Sequence, residues 1–215
     1  MAIAHSKTAD LATDRATARR RVTIEEALDH AERIVATDGA GAVTVAEIAR
    51  RMGMRPPSLY KYFPSLHAIY DALFARGNAR VVAYVEEAVQ GLDHGLDRLL
   101  EGNRALLRWS MLNPGLAPLL FWRPIPGFAP SAASYAFAEA MVAGFREDLR
   151  AAAHAGELDA AADADDVLRL LIAVIAGIGS QQLANQPEAS YDEGIFTRLT
   201  DRALAMFVDQ HRKER

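Results

Sequence analysis

The sequence predicts an all-α protein: a small N-terminal three-helix head joined to a larger helical body. Three observations predict it. Apolar residues recur at helical spacing in segment after segment. Thr23 with Glu26, Thr44 with Glu47, and Ser190 with Glu193 each form a capping-box pattern, in which a hydroxyl and a carboxylate three residues on satisfy the orphan donors of a helix start. No stretch of useful length alternates apolar and polar with period two, so no strand is expected.

The elements follow in order. Residues 1–22 lack periodicity and end in Arg19-Arg20-Arg21, which reads as a flexible basic arm. From Thr23, the stripe Ile24, Ala27, Leu28, Ala31, Ile34 and Val35 predicts one helix that stops at Asp38-Gly39. Thr44 opens a short helix carrying Val45, Ile48, Ala49 and Met52, ended by Gly53. Pro56-Pro57 fit a first helical turn, where their missing N–H groups cost nothing, so a further helix runs to Phe63 and closes at Pro64. Ser65 caps a long helix of about 25 residues, near 35–40 Å at 1.5 Å per residue. Another helix fits Asp93 to Leu112. Five of the nine prolines then lie between Pro114 and Pro130, predicting short turns and loop. Helices over Ser131–Ala155, Asp165–Asn185 and Asp192–Lys213 complete the body.

Composition bounds the function. Half the 215 residues (51%) are hydrophobic and 24% are charged, enough for a real core and incompatible with global disorder. Without cysteine there is no thiolate metal site and no cysteine nucleophile. The N-terminus lacks the apolar core of a signal peptide. The longest purely apolar run, Leu170 to Gly179, is far short of the roughly 20 residues that span a bilayer. The expectation is a cytoplasmic protein without a membrane partner. The net charge of −4 divides unevenly: residues 1–64 carry +2 and the remainder −6, the asymmetry expected if the front alone meets phosphate.

Residues 45–62 carry the functional signal. A helix-turn-helix sets two helices at a steep angle across a tight turn, which fixes residue types by position. Ala49 is small where the second helix must cross, and Gly53 can turn left-handed without a Cβ penalty. Ile48, Met52, Met54, Leu59 and Tyr62 fill the positions that must be apolar or half-buried. A hairpin that packs only on itself would not need Ser58, Tyr60 and Lys61 together on the exposed side of its second helix.

The run G-M-R-P-P-S-L-Y-K-Y-F-P-S-L-H-A-I-Y, preceded by T-V-A-E-I-A-R-R-M, resembles the DNA-binding head of the TetR family of bacterial transcriptional regulators, over about residues 23–74. The resemblance implies a DNA-binding domain over 23–70 and an effector-binding and dimerisation domain over 71–215. It also implies a recognition helix from Pro56 to Phe63 in the major groove, with Leu59 and Phe63 in the core. Thr44, Ser58, Tyr60 and Tyr62 are then expected at phosphates of a double-stranded operator, and Lys61 at a base edge. Pro56 and Pro57 offer apolar contact where the family commonly reads bases. Arg55 stands where a capping Ser is frequent, and His67 where a phosphate-binding Lys is frequent. Arg19–Arg21 either enters the minor groove or remains a solvated charge run.

In the body, the resemblance implies a homodimer formed by the last two long helices as a four-helix bundle. Its expected interface is Leu168, Leu171, Ile172, Ile175 and Ile178 with Ile195, Leu199 and Met206. A second cluster, Trp109, Met111, Phe121, Trp122, Phe128, Tyr135, Phe137 and Met141, suggests a pocket for an apolar or aromatic small-molecule effector; ordinary core is the competing reading. Arg104, Arg108 and Arg123 are candidates to orient an acidic ligand. The expected function is a dimeric repressor released from its operator by that effector. The rivals are a helical carrier or partner-binding protein without a DNA role, and an enzyme. For the enzyme there is no G-x-S-x-G, no H-E-x-x-H and no close His pair, and no catalytic residue, metal or cofactor is implied. Asp163, Asp165 and Asp166 cluster, but acids at a helix start are favoured by the macrodipole.

Overall fold

A computed structural model describes residues 3–212, with side chains from residue 15 onward. Among the described residues the regular elements are all helical: α1 Ile3–Asp38, α2 Val45–Arg51, α3 Pro56–Leu59, α4 Leu66–Ala88, α5 Leu96–Leu112, α6 Leu116–Phe121, α7 Ala132–His154, α8 Asp165–Asn185 and α9 Thr200–His211. Single 3₁₀ turns lie at Ala40–Ala42, Ala160–Asp163 and Thr197–Leu199. The chain forms two compact units. One takes Met1–Leu73 with Pro124–Ala129, the other Phe74–Arg123 with Pro130–Arg215. The helix α4 begins in the first and continues into the second.

In the first unit, Ala27, Leu28, Ala31, Ile34 and Val35 are buried along one face of α1, the stripe the sequence predicts. The helix does not start at Thr23, however. It runs unbroken through the segment read as an arm, of which residues 1–2 lie outside the described residues. Thr23 makes no cap; its hydroxyl donates to the Arg19 carbonyl four residues back (3.1 Å), as a threonine inside a helix does. A capping box needs non-helical backbone before it, and the Ala- and Arg-rich run from Arg15 to Val22 is too good a helix former to supply that.

The α2 start is capped as predicted: the Thr44 hydroxyl accepts from the Glu47 N–H (3.1 Å). Its end is a Schellman turn, with Met54 N–H donating to Ala49 (2.9 Å) and Gly53 N–H to Arg50 (3.2 Å). Gly53 sits at φ 66°, in the left-handed region that disfavours a side chain.

In the second unit, α5 packs on α7 and α8, and α8 on α7 and α9. Gly102 lets α7 approach closely: a Cβ there would lie 2.7 Å from Phe145 Cε1. Among the described residues α8 is the one helix long and apolar enough, by length and composition, to cross a membrane. It instead packs one face into this unit. Leu168, Leu171 and Ile175, expected at a dimer interface, are buried inside the protomer. Of the remaining expected interface residues, Ile172, Ile195, Leu199 and Met206 are exposed and Ile178 is half-buried.

The last helix also departs from expectation. Ser190 and Glu193 bond each other (2.9 Å) within turns, and α9 starts only at Thr200; its expected end, Lys213, lies outside the described residues. The missing helix start is supplied by a buried amide. Gln182 Oε1 accepts from the N–H groups of Phe196 (2.9 Å) and Thr197 (3.3 Å), while Nε2 donates to the Gln186 carbonyl (3.0 Å). Gly194 passes beside this amide with no room for a Cβ. Gln182→Leu strands the buried Thr197 N–H and the half-buried Phe196 N–H and should destabilise the body by about 1–3 kcal/mol, read as a lowered urea midpoint.

Candidate nucleic-acid interface and internal cavity

The second helix of the helix-turn-helix is shorter than predicted. α3 holds four residues, with Pro56 and Pro57 in its first turn. Helical hydrogen bonding is carried on by the turn that follows it, with Tyr62 N–H (2.9 Å) and Phe63 N–H (3.0 Å) both donating to Leu59. What fixes this stub is burial: Leu59 is fully buried and Phe63 nearly so, beside the buried Ile48 and Ala49 of α2. Arg55, Pro56, Pro57, Tyr60 and Lys61 are then exposed around it, and Ser58 and Tyr62 half-buried. Tyr60 is 51% exposed, unusual for a large aromatic ring. Thr44 is exposed at the start of α2, its oxygen used by the cap.

Arginine from α1 reaches this surface. Arg20 donates to the Lys61 carbonyl (2.8 Å) and lies 5.3 Å from the centre of the Tyr62 ring. One member of the basic triplet is therefore a brace for the end of the turn that follows α3, a role that neither sequence reading of the triplet included. It also covers one face of Tyr62, leaving less of that ring for a phosphate.

Charge along α2 is clasped by Glu47. Its carboxylate bonds Arg50 (2.7 Å) and Arg51 (2.7 Å), and Arg51 also approaches Asp38 at 3.7 Å. The two guanidinium groups, Arg50 first, lower the Glu47 pKa to about 2.

His67, at the exposed start of α4, lies edge-on to Phe128 with ring centres 6.0 Å apart. Phe128 also packs on Tyr70 (5.7 Å), whose hydroxyl donates to the Ala40 carbonyl (2.8 Å). Phe128 is thus part of the first unit's core and not of an effector pocket, because its segment folds with the helix-turn-helix.

The second unit contains a cavity of about 240 Å³. Phe121, Trp122, Tyr135 and Met141 line it, as expected from the aromatic cluster. Trp109 and Met111 are buried outside its lining, and Phe137 is exposed. Ile172 and Ile175 of α8 line the cavity too, so part of the expected interface is cavity wall. Sequence reasoning missed three polar lining residues, Asn78, Asn103 and Ser110, each buried. A polar residue in an amphipathic helix reads as solvated, and nothing in the pattern marks these as inward.

The arginines considered for an acidic ligand are absent from the lining. Arg104 bonds Asp201 (2.7 Å), Arg108 bonds Glu101 (2.6 Å) and lies over the Tyr191 ring, and Arg123 is exposed.

The first unit has the build of a helix-turn-helix DNA-binding domain, carried on a chain whose second unit is an all-helical body with an internal cavity. Residues 27–73 match the profile of bacterial regulatory proteins, tetR family. The match spans the helix-turn-helix of the first unit, and over that segment the chain is similar to this family. The fold is shared with solved proteins: a bacterial regulatory protein in the tetR family from Rhodococcus RHA1 superposes with a TM-score of 0.67 at 20% identity, over 89% of this chain and 98% of that one. A Rhodococcus sp. RHA1 protein of unknown function superposes at 0.72 with 21% identity, over 88% and 95%. In sequence, the chain is 28% identical over 101 residues to the nucleoid occlusion factor SlmA of Vibrio campbellii, covering 47% of this chain and 50% of that protein. The chain thus matches about half the length of the curated relatives.

Because the folded pKa of Glu47 lies below the ordinary value of 4.5, its clasp on Arg50 and Arg51 is fully present above that value and is lost as pH falls through about 2. The Glu47 carboxyl resonance should titrate with a midpoint near 2, and Arg50→Ala should move that midpoint upward.

Proposed function

We propose that this chain is a homodimeric transcriptional repressor that binds a palindromic operator through α3 and its following turn, and leaves it when an apolar or aromatic molecule fills the body cavity. The observation that carries the DNA reading is the outward presentation of Arg55, Pro56, Pro57, Tyr60 and Lys61 from a helical turn whose Leu59 is wholly buried. A surface that served only packing would not spend a proline pair, an exposed tyrosine and a lysine there. In this reading Lys61 meets a base edge, while Thr44, Ser58, Tyr60 and His67 meet phosphates and Tyr62 contributes the hydroxyl end that Arg20 leaves uncovered. Such a protein acts in the cytoplasm, where its operator is.

One head offers too few contacts for useful specificity, so two are required, spaced for half-sites about 34–36 Å apart. Support for the dimer comes from α8. Leu170, Ala173, Val174 and Gly177 recur at helical spacing on its exposed side, with Leu170 51% exposed. Ile195, Leu199 and Met206 add exposed apolar surface from the chain after α8. A stripe of this kind, small residues beside branched ones, suits close crossing with the same helix of a second copy.

Release needs a ligand with different affinity for two arrangements of the body. Two stretches of chain connect the units: α4, and the segment Pro124–Ala129, which folds with the head while Trp122 before it and Tyr135 after it line the cavity. Arg123, between Trp122 and that segment, adopts φ 48°, a conformation L residues rarely hold. The coupling expected for such a device is about 1–3 kcal/mol.

The test is fluorescence anisotropy with the DNA upstream of the chain's own coding region. A specific, salt-sensitive complex is expected, and Lys61→Ala should weaken it about tenfold or more. Absence of any specific complex overturns the regulator reading and favours a helical carrier. Separately, Val174→Glu should shift the protein from dimer to monomer in sedimentation and abolish operator binding; a wild-type monomer at micromolar concentration removes the dimer.

A further inference from the structure

We infer that the cavity ligand is a neutral molecule bearing a hydrogen-bond donor, and that Asn78, Asn103 and Ser110 read that donor against an otherwise apolar wall. The inference rests on the reading of this cavity as the effector site, and goes beyond it by assigning the ligand's chemical class. Three polar side chains line the space, and each is more than nine-tenths buried: Asn78 at 1% exposure, Asn103 at 2% and Ser110 at 5%.

Each spends a proton on its own helix. Asn78 Nδ2 donates to the Phe74 carbonyl (3.0 Å), Asn103 Nδ2 to the Leu99 carbonyl (2.7 Å), and the Ser110 hydroxyl to the Leu106 carbonyl (2.8 Å). A backbone carbonyl accepts and cannot donate, so these bonds fix which end of each amide is nitrogen. The serine has no proton left. Among the described residues neither Asn78 Oδ1 nor Asn103 Oδ1 accepts a bond. The cavity therefore offers three acceptor oxygens and one remaining N–H on each amide.

A buried polar group without a partner is costly, and these acceptors are satisfied by a ligand hydroxyl, N–H or amide. A carboxylate fares badly in the same place. It can accept from the two remaining amide N–H groups, but it brings no proton to the three oxygens, and no cationic side chain lines the cavity to offset its desolvation. The arginines in reach of the sequence argument are engaged: Arg104 with Asp201, Arg108 with Glu101 and Tyr191. At about 240 Å³ the space is larger than the roughly 150 Å³ cavity that accepts a single benzene ring, so a fused bicycle is a suitable size.

The experiment compares three naphthalene probes on the full chain without DNA, by calorimetry or by quenching of Trp122: 2-naphthol, 2-methoxynaphthalene and 2-naphthoate at pH 7. Naphthol should bind about three- to tenfold more tightly than the methyl ether, which has the oxygen and lacks the proton. Naphthoate should bind weaker than naphthol by at least about tenfold. Asn103→Leu and Asn78→Leu should each shrink the naphthol advantage while binding of the ether is kept, which reports an intact cavity. Naphthoate binding as tightly as naphthol overturns the inference, as does failure of all three probes to bind at millimolar concentration. If the probes bind in the expected order and the operator complex is unaffected, ligand-released repression falls and the assignment of ligand class stands.

Discussion

The exposed helix-turn-helix surface of this protein depends on a helix too short to hold itself. Four residues of α3 cannot close enough hydrogen bonds to offset the entropy of ordering them, and no isolated helix of that length persists in water. Its place is set from behind. Leu59 is fully buried where α3 packs on α2, whose Ile48 and Ala49 are also buried, the Schellman turn at Gly53 reverses the chain after α2, and Arg20 ties the far end at the Lys61 carbonyl. Burying one leucine contributes about 1.5–3 kcal/mol, comparable to fixing one or two residues of backbone. Among the outward residues Pro56 and Pro57 also pre-set the first turn, whereas the Tyr60 and Lys61 side chains are exposed.

This explains which parts of the fold the sequence made legible. Positions fixed by packing or backbone geometry announce themselves: Ala49, Gly53 and Leu59 are nearly forced in type, and the Thr44 cap and the span of α8 follow from local pattern alone. Capping boxes were less dependable. The Thr44 box is half made, because Glu47 turns to Arg50 and Arg51, two stronger partners than a backbone N–H. The Thr23 box is overridden by helix continuing on its N-terminal side, and the Ser190 box is overridden by Gln182, an amide that precedes it by eight residues and caps the next turn from within the core. A local motif states that a helix can start; whether it does depends on groups elsewhere.

The candidate site divides in the same way. The helix-turn-helix surface lies within one short run of sequence, so spacing reveals it. The cavity is assembled from five helices far apart in the chain, and composition could suggest only its aromatic share. Phe128 looked equivalent to Trp122 or Tyr135 because it stands between them; the fold sends it to His67 and Tyr70 instead. The arginines looked free because their partners are distant: Asp201 meets Arg104 from 97 residues away. Charge that seems available in a sequence is often already neutralised, and that decided the polarity assigned to the cavity.

The helix α8 brings these threads together, since it is apolar on two sides. Leu168, Leu171, Ile175 and Gly179 face inward, and Ile175 and Gly179 also wall the cavity. Leu170, Val174 and Gly177 face outward on the same 21-residue rod. A helix packed like this cannot yield at one face without displacing the other, because its backbone hydrogen bonds keep it rigid and protein interiors transmit strain. If the outer stripe is where a second copy docks, ligand affinity and self-association share one element and are thermodynamically linked. Whatever change in dimerisation the ligand produces, dimerisation must produce in ligand affinity. In that arrangement the small residues Ala173 and Gly177 would let the two helices cross closely, leaving little side-chain slack to absorb a shift.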